Sequence, residues 1–336
     1  MYSMVLISII IPVRNRKEIT RNILTQIFTQ ISLKNCTSNV SVIVVNDGST
    51  DGTKEMIIEQ FDHVHLIEGD GSLWWTGAII QGMEYGVNKL NADYLVWLND
   101  DISLADNFLV NLINICRDQN YQKTIVGGLI KDQTYPDWVV LSGLLKRQPI
   151  SNMNMFALSK ELEVDVICGT MAVIPCSVVD KIGYPNVIRF PHYGGDYEYI
   201  MRAKRNGFRI ILSSKLNAMT DFQISDVIRY LPYWIQWYLQ PGFSPRYKIL
   251  KGLVSLKSPE SVWALVNLHS NNINDETTPI WKYIFCYFNK VFRLLLIDFL
   301  PKKYLENRFQ QYLEQQNFPS DITATIRQKK LQKSLK

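Results

Sequence analysis

The sequence lacks the features of a disulfide-bonded, zinc-binding or membrane-spanning protein. Its five cysteines are scattered, odd in number and form no Cys-x-x-Cys pair. Disulfides and a structural zinc site are therefore not expected, and a reducing compartment is favoured. No uncharged apolar run reaches the roughly 18 residues that a transmembrane helix needs. The apolar run at residues 4–13 is too short to span a bilayer and ends without a small-residue cleavage site, so it predicts a buried strand.

An excess of charge is also missing from most of the chain. Lys plus Arg total 36 and Asp plus Glu total 31, which gives a net charge of +5. Residues 322–336 contain five basic residues and no acid, so residues 1–321 sum to zero. A neutral body argues against nucleic-acid binding. The basic tail suits either contact with an anionic lipid surface or a solvated terminus, and both remain open.

The remaining composition is that of a globular protein. Of its 336 residues, 47% are hydrophobic. The length is typical of about two domains. Five apolar runs separated by helix-like segments predict strands at residues 3–13, 40–46, 63–69, 93–99 and 124–130. Strands alternating with helices predict βαβ units and a doubly wound α/β domain. In such a sheet, ligands bind beyond the carboxyl ends of the strands.

The pattern changes past about residue 215, where long amphipathic stretches replace the strands. These stretches are residues 223–240, 246–270 and 279–300. We therefore predict a catalytic domain over 1–215, with a first half at 1–130 and a second half at 131–215. A helical region over 216–336 follows.

The stretch 279–300 predicts a helix with an unusually narrow polar stripe. Lys282, Asn289 and Arg293 fall on one side, and apolar residues fill most of the rest. Such a helix is either buried on three sides or lies in a membrane interface, and the sequence leaves both open.

Four polar clusters follow predicted strands or open a predicted helix. They are Pro-Val-Arg-Asn-Arg (12–16), Asn-Asp-Gly-Ser-Thr-Asp (46–51), Asn-Asp-Asp (99–101) and Gly-Gly-Asp-Tyr-Glu-Tyr (194–199). Each alone is explained by turn or cap chemistry. Their joint placement predicts a ligand site at one edge of the sheet.

Together these strings resemble the family 2 glycosyltransferases over roughly residues 5–212. The resemblance is carried by ISIIIPVRNR, VIVVNDGSTDGT, YLVWLNDDI, ICGTMAVIP and GGDYEYIMRAKRNGFRI. It implies the GT-A nucleotide-diphospho-sugar transferase fold, which is a doubly wound mixed sheet, here with a helical C-terminal region. The string LWWTGA at 73–78 is similar to a rhamnosyltransferase-like subgroup that assembles bacterial surface polysaccharides.

The resemblance implies a set of residues that bind the nucleotide-sugar. The Pro-x-x-Asn turn and the Asp after the second strand hold the base and ribose in that family. The expected donor-binding residues here are Pro12, Arg14, Asn15, Asp47, Trp75, Gly77, Asn99 and Asp100.

The resemblance also implies a divalent cation and a catalytic base. The family's short acidic motif reads Asn99-Asp100-Asp101 here, so Asp101 is the expected ligand of Mg²⁺ or Mn²⁺. Asp196 matches the family's base, although Gly195 stands where a Glu often precedes it. A carboxylate suits each role, because it can bind a hard cation or take the proton of an attacking hydroxyl.

Three further residues near Asp196 are expected on the acceptor side. They are His192, Glu198 and Arg202. Arg202 has the i, i+4 spacing to orient Glu198, and an ordinary pair on the helix surface fits the same spacing.

The resemblance implies a metal-dependent inverting transferase that passes a hexosyl or deoxyhexosyl group to a glycan or lipid-linked acceptor. We expect it in the cytoplasm, with a possible contact at the cytoplasmic face of the inner membrane. One alternative is a sugar nucleotidyltransferase, but PVRNRKE lacks the glycines that usually follow its first strand. The other is a degenerate glycan-binding or partner domain, which would lack Asp101 or Asp196, and both are present.

Overall fold

The chain folds into two units, which we describe separately. The structure is a computed structural model that describes residues 4–34, 39–240, 242–269 and 278–334. The first unit comprises Met1–Val187 and Gly195–Asp221, and the second comprises Ile188–Gly194 and Phe222–Lys336. The first unit continues past residue 215, because its last strand runs to Thr220.

The first unit alternates strands and helices through most of its length. Its strands are β1 (Ile7–Val13), β2 (Val40–Asp47), β3 (Val64–Gly69), β4 (Tyr94–Leu98), β5 (Ser103–Leu104), β6 (Thr124–Asp132), β7 (Val139–Leu141), β8 (Gly143–Leu145), β9 (Gln148–Pro149), β10 (Glu161–Glu163), β11 (Val166–Ile167), β12 (Met171–Pro175) and β13 (Arg209–Thr220). Its α-helices are α1 (Lys17–Lys34), α2 (Thr53–Gln60), α3 (Trp74–Asn88), α4 (Phe108–Arg117), α5 (Cys176–Ile182) and α6 (Gly195–Arg205).

The strands form one large mixed sheet and one small sheet. The main order is β10-β13-β6-β12-β4-β1-β2-β3, with β5 paired to β13 and β7 to β6. The first four strands are parallel, whereas β12 is antiparallel to both β4 and β6. A second sheet has the order β11-β8-β9. This is the mixed, doubly wound sheet that the sequence predicts.

The central strands are apolar because helices cover both faces of the sheet. Six of the seven residues of β1 and all five of β4 are buried. Strand β3 stands at the edge of the sheet, and its residues are mostly half-buried. A continuous apolar run in the sequence therefore indicates both that a segment is a strand and that the strand is central in the sheet.

Helix α3 approaches β1 and β4 closely because two of its residues are glycines. A Cβ atom on Gly82 would lie 2.3 Å from Cγ2 of Ile10, and one on Gly86 would lie 2.8 Å from Cδ2 of Leu95. This packing fixes the start of α3 over the carboxyl ends of the central strands.

The second unit is helical in its described part. Its α-helices are α7 (Ile224–Tyr230), α8 (Tyr233–Leu239), α9 (Phe243–Leu253), α10 (Val262–His269), α11 (Ile280–Leu296), α12 (Lys302–Gln315) and α13 (Ser320–Ser334). Their core includes Trp237, Leu253, Leu294 and Leu305. The amphipathic stretch 223–240 forms two helices rather than one, because Pro232 disfavours helical geometry at Leu231.

None of the helices in these described ranges combines the length and the apolar character needed to cross a bilayer.

The close contact of α3 with β1 gives a stability prediction. Gly82→Ala should lower the free energy of unfolding by about 1–3 kcal/mol, because the added methyl group overpacks the contact with Ile10. Urea unfolding followed by tryptophan fluorescence measures the change. Glu84→Ala, at an exposed position of the same helix, is the control and should stay within about 0.5 kcal/mol of wild type. Equal stability of the two variants would show that α3 can move away from β1 at no cost.

Candidate active site

Three of the four polar clusters predicted from the sequence, residues 12–16, 46–51 and 99–101, lie at the edge where β1 to β4 end. Val13 at the end of β1 pairs with Asn46, and Asp47 at the end of β2 pairs with Gly69. Strand β4 runs parallel to β1 and ends at Leu98, directly before the Asn-Asp-Asp segment. The register therefore brings the loops that follow these four strands to one edge of the sheet.

Asn15 joins the loop after β1 to the loop after β2. Its backbone has a φ of 52°, an uncommon conformation that Asn tolerates better than most residues. Its side-chain oxygen accepts a hydrogen bond from the Thr50 N–H at 2.7 Å, and its own N–H donates to Oγ of Ser49 at 2.8 Å. Pro12 lies within β1, opposite Val45. The predicted Pro-x-x-Asn turn thus shapes both loops.

Asp47 binds the loop after β3 instead of facing solvent. The residue is 3% exposed. Its Oδ1 accepts from the N–H groups of Gly71 (2.8 Å) and Leu73 (3.2 Å), and its Oδ2 accepts from the N–H of Trp74 (3.0 Å). The predicted contact of Asp47 with the base or ribose stays a prediction. Because a buried charge needs such partners, Asp47 fixes the conformation of residues 71–74.

Arg14 supplies the exposed charge at this place. Its guanidinium lies 3.7 Å from Oδ2 of Asp47, donates to the carbonyl of Gly71, and its side chain is 50% exposed. Of the pair Arg14 and Asp47, Arg14 is therefore the one that a nucleotide can reach.

Trp75 connects the end of β4 with the start of α6. Its Nε1–H donates to Oδ1 of Asn99 at 3.1 Å, and its ring packs edge-on against Trp97 at 5.5 Å. A Cβ on Gly169 would lie 2.5 Å from Cη2 of Trp75 and 3.0 Å from Cβ of Asp196. The indole ring, Gly169 and Asp196 are therefore in close proximity.

Gly77 has a packing role in the structure. It is buried in the first turns of α3, and a Cβ there would lie 3.3 Å from Cβ of Leu73. Its predicted place in the donor site is thus an indirect one, behind the loop that Asp47 holds.

Asp100 and Asp101 lie in different environments although they are adjacent. Asp100 is 3% exposed, and Thr20 donates a hydrogen bond to its Oδ2 at 3.2 Å. Burial raises the pKa of Asp100 to about 6, and the charge of Asp101 adds to that rise, whereas Arg16 and Thr20 oppose it. The side chain of Asp101 is 48% exposed. Asp101 is therefore the carboxylate that a ligand can reach.

Arg16 binds both of these carboxylates. Its Nη1 lies 3.0 Å from Oδ1 of Asp100 and its Nη2 lies 3.1 Å from Oδ2 of Asp101. We did not predict a role for this residue. Its signal in the sequence is its place as the second Arg of the PVRNR string. In the structure its positive charge lies next to two carboxylates and favours their charged forms.

These residues fit a divalent cation whose coordination shell is completed by oxygen atoms of a bound ligand. Among the described residues, no three His, Cys, Asp or Glu side chains are grouped to hold a metal ion. Mg²⁺ typically takes only one or two carboxylates, with phosphate oxygens and water completing the shell. Asp101, a hard oxygen donor with half of its side chain exposed, meets that requirement.

Asp196 is the second residue of α6, and its carboxylate accepts two backbone hydrogen bonds. Its Oδ2 accepts from Gly169 N–H and its Oδ1 from Tyr197 N–H, each at 2.8 Å. The residue is partly exposed, and burial raises the pKa of its carboxyl while the two N–H donors oppose that rise. Within the described ranges no Lys, Arg or His forms an ion pair with it, so partial exposure and the two backbone donors are what favour its charged form.

Glu198 and Arg202 pair with each other inside the first unit. Arg202 binds the Glu198 carboxylate through Nε at 2.6 Å and Nη2 at 3.2 Å. It also donates to the carbonyls of Ile182 and Tyr184, which tie α6 to the end of α5. Glu198 is 4% exposed. The structure therefore differs from the expected acceptor-side contact, and this pair positions α6.

His192 belongs to the second unit. Its ring packs edge-on against Tyr193 at 5.0 Å. Burial lowers the pKa of His192, and the charges of Lys257 and Arg229 lower it further. Its predicted acceptor-side role stays a prediction.

Comparison with known proteins matches residues 8–183, more than half of the chain, to the family described as Glycosyl transferase family 2. An uncharacterized glycosyltransferase of Rickettsia typhi is 25% identical over 197 residues, which cover 57% of this chain and 57% of that protein. The hexosyltransferase Agl10 of low-salt glycan biosynthesis in Haloferax volcanii is 25% identical over 192 residues, which cover 53% and 59%. The chain thus spans just over half the length of these relatives.

A solved structure supports the fold. The structure of GalNAc-T7 with UDP, GalNAc and Mn²⁺ aligns with a TM-score of 0.50 and 14% identity, over 77% of this chain and 56% of that chain. Together with the mixed sheet and its covering helices, the family match confirms the predicted GT-A fold. Asp196 lies beyond the matched residues, whereas Asp47, Trp75 and Asp101 lie within them. The chain belongs to glycosyl transferase family 2.

Proposed function

We propose that this protein is an inverting glycosyltransferase that moves a hexosyl or deoxyhexosyl group from a nucleotide-sugar to a glycan or lipid-linked acceptor. The observation that carries the proposal is the position of Trp75. Its Nε1–H donates to Asn99, two residues before the accessible Asp101, and its ring lies against Gly169 beside Asp196. The indole ring thus links the segment that carries the proposed cation ligand to the segment that carries the candidate base.

In this proposal each carboxylate has one task. Asp101 holds the divalent cation, Mg²⁺ or Mn²⁺, which when bound neutralises charge on the departing diphosphate as a Lewis acid. Asp196 accepts the proton of the attacking acceptor hydroxyl. The hydroxyl oxygen bonds to the anomeric carbon as the bond from that carbon to the diphosphate oxygen breaks. Attack from the side opposite the diphosphate inverts the anomeric configuration.

The donor is held by residues on the loops of the same edge. Arg14 offers an exposed guanidinium, which suits phosphate or ribose oxygens. Asn15 and Asp47 act through the loops whose shape they fix. Arg16 pairs with Asp101 and would compete with a cation for that carboxylate. Asn99 and Asp100 hold Trp75 and Arg16 respectively.

The named relatives support a sugar-transfer reaction. Agl10 is described as a hexosyltransferase of glycan biosynthesis, and GalNAc-T7 was solved with UDP and Mn²⁺. We propose the same classes of donor and cation here, with bacterial surface polysaccharide synthesis as the setting.

We further propose that α11 contacts the cytoplasmic face of an anionic membrane. One face of this helix is apolar and exposed in the second unit: Ile280, Trp281, Ile284, Phe285, Phe288, Phe292, Leu295 and Leu296. The opposite face packs on the core through Tyr283, Tyr287 and Leu294. Residues 280–296 contain Lys282, Lys290 and Arg293 and no acid. An exposed aromatic face bordered by basic side chains is typical of interfacial helices, and the charge favours anionic lipid.

The metal role is tested with two variants. Asp101→Asn should bind Mn²⁺ more weakly and lose most transfer, because Asn keeps the shape of the side chain and loses the charge. Arg16→Gln should bind Mn²⁺ about fivefold more tightly without donor, because it removes a cation that pairs with Asp101. Electron paramagnetic resonance of free Mn²⁺ measures the binding of the ion to both variants. Arg21→Gln, on helix α1, which begins directly after Arg16, and paired with Glu18, is the control that should bind as wild type. Normal turnover of Asp101→Asn in EDTA-treated buffer would disprove the metal role.

The base is tested by separating transfer from donor binding. Asp196→Asn should lower kcat by about 10²–10⁴-fold while calorimetry shows nearly unchanged nucleotide-sugar affinity. Because burial raises the pKa of Asp196, the acidic limb of the wild-type pH–rate profile should lie above the ordinary Asp value of about 3.9. Asp180→Asn, exposed on α5, should keep normal turnover. Normal transfer by Asp196→Asn would refute the assignment.

The membrane contact is tested on exposed residues only, so the core of the second unit is kept. Phe285→Ser with Phe288→Ser should weaken binding to vesicles containing phosphatidylglycerol by about tenfold or more, because two large apolar side chains leave the interface. Flotation of the full chain measures binding. Leu33→Ser with Ile58→Ser, which are similarly exposed in the first unit, should have little effect. Equal losses in both double variants would contradict a specific role for α11.

A further inference from the structure

The second unit contains a cavity that the transfer reaction does not explain. Its volume is about 380 Å³, within the range of about 300–1,000 Å³ that small-molecule sites occupy. It lies among α8, α11 and α12, and aromatic side chains form part of its wall: Tyr233, Trp234 and Tyr304. All of the residues that line the cavity belong to the helical second unit.

The cavity has an excess of positive charge. Lys290, Arg293 and Arg308 line it, against the single carboxylate of Glu260. That carboxylate is bound by Lys290. Neither Arg293 nor Arg308 forms an ion pair with a carboxylate anywhere in the described ranges of the chain. Two guanidinium groups therefore remain for an anionic ligand.

Arg308 is oriented by neutral partners. Its guanidinium lies over the ring of Trp234 at 5.8 Å, and its Nη1 donates to the hydroxyl of Tyr304 at 3.4 Å. Stacking on an aromatic ring holds the plane of a guanidinium and leaves its outer N–H groups for a ligand. Such a fork, with the second guanidinium of Arg293 in the same lining, suits the oxygens of a phosphate group.

The cavity adjoins the exposed apolar surface of the same unit. Leu300 and Tyr304 line the cavity and are also among the exposed large apolar side chains that follow α11. Arg293 lies on α11 beside the exposed Phe292. A ligand there would hold its charged group at the exposed Arg293 and Arg308 and extend an apolar part along the exposed surface of α11.

We propose that this cavity binds the phosphate of a membrane lipid, with Arg293 and Arg308 as its two phosphate contacts. The inference rests on the proposed membrane contact of α11. It adds a headgroup site to a surface that would otherwise bind lipid through apolar burial and diffuse charge. The lipid is either an anionic phospholipid or a polyprenyl phosphate that carries the acceptor, since both present the same phosphate chemistry.

The test uses the full chain and variants that keep the charge. Arg293→Lys with Arg308→Lys should bind phosphatidylglycerol-containing vesicles about tenfold more weakly than wild type, because Lys cannot form the two-pronged contact. Lys302→Gln, an exposed basic residue outside the cavity, is the control. It should lose at most about fivefold, the effect of one surface charge. Wild-type affinity of the double Lys variant would overturn the site and leave only diffuse attraction.

Two further measurements identify the ligand. The first compares phosphatidylcholine vesicles doped with a polyprenyl phosphate with vesicles that contain phosphatidylglycerol at equal charge. The double Lys variant should lose affinity for at least one of the two vesicle types. The lipid for which the loss is larger is the source of the phosphate. Inorganic phosphate alone should raise the melting temperature less than either vesicle at equal phosphate concentration. An equal rise would overturn the lipid assignment. Nucleotide-sugar binding, measured on the same samples, reports the first unit and so separates this inference from the transfer proposal.

Discussion

The arrangement of the candidate active site depends on one buried carboxylate. Asp47 lies at the end of β2, is 3% exposed, and accepts hydrogen bonds from three backbone N–H groups of the loop that precedes α3. A buried carboxylate without such donors would be strongly destabilising, so the loop and the acid require each other. Trp74, the first residue of α3, has a φ of 57°, and Trp75 then reaches Asn99. The position of the indole ring, and with it its place against Gly169, follows from the end of β2.

The acids at this edge have different environments, and that difference separates their proposed tasks. Asp100 and Asp101 share the guanidinium of Arg16, and only Asp101 is open to a ligand. Asp196 accepts two backbone N–H groups, and burial raises the pKa of its carboxyl. A base works best when its pKa approaches the operating pH, whereas a cation ligand should stay ionised. In the proposed reaction, Asp196 meets the first requirement and the exposed Asp101 is the cation ligand.

Most of the fold follows from local patterns in the sequence, and the contacts between distant segments do not. The apolar runs predicted β1, β2 and β4 because both faces of these strands are buried, and the acids after strands predicted the edge that holds the site. The i, i+4 spacing of Glu198 and Arg202 fitted a surface pair or an orienting role. Only the structure shows that the pair is buried and bound to the carbonyls after α5. Arg16 was missed for the same reason, since its partners lie more than 80 residues away.

The most direct test of the account follows the stereochemistry of one turnover. Proton NMR of the reaction between a nucleotide-sugar donor and its acceptor reports the anomeric configuration of the first product. If Asp196 deprotonates the acceptor on the side opposite a diphosphate held through Asp101, the product must have the configuration opposite to that of the donor. A product with the donor's configuration would contradict direct displacement and, with it, the proposed tasks of both carboxylates.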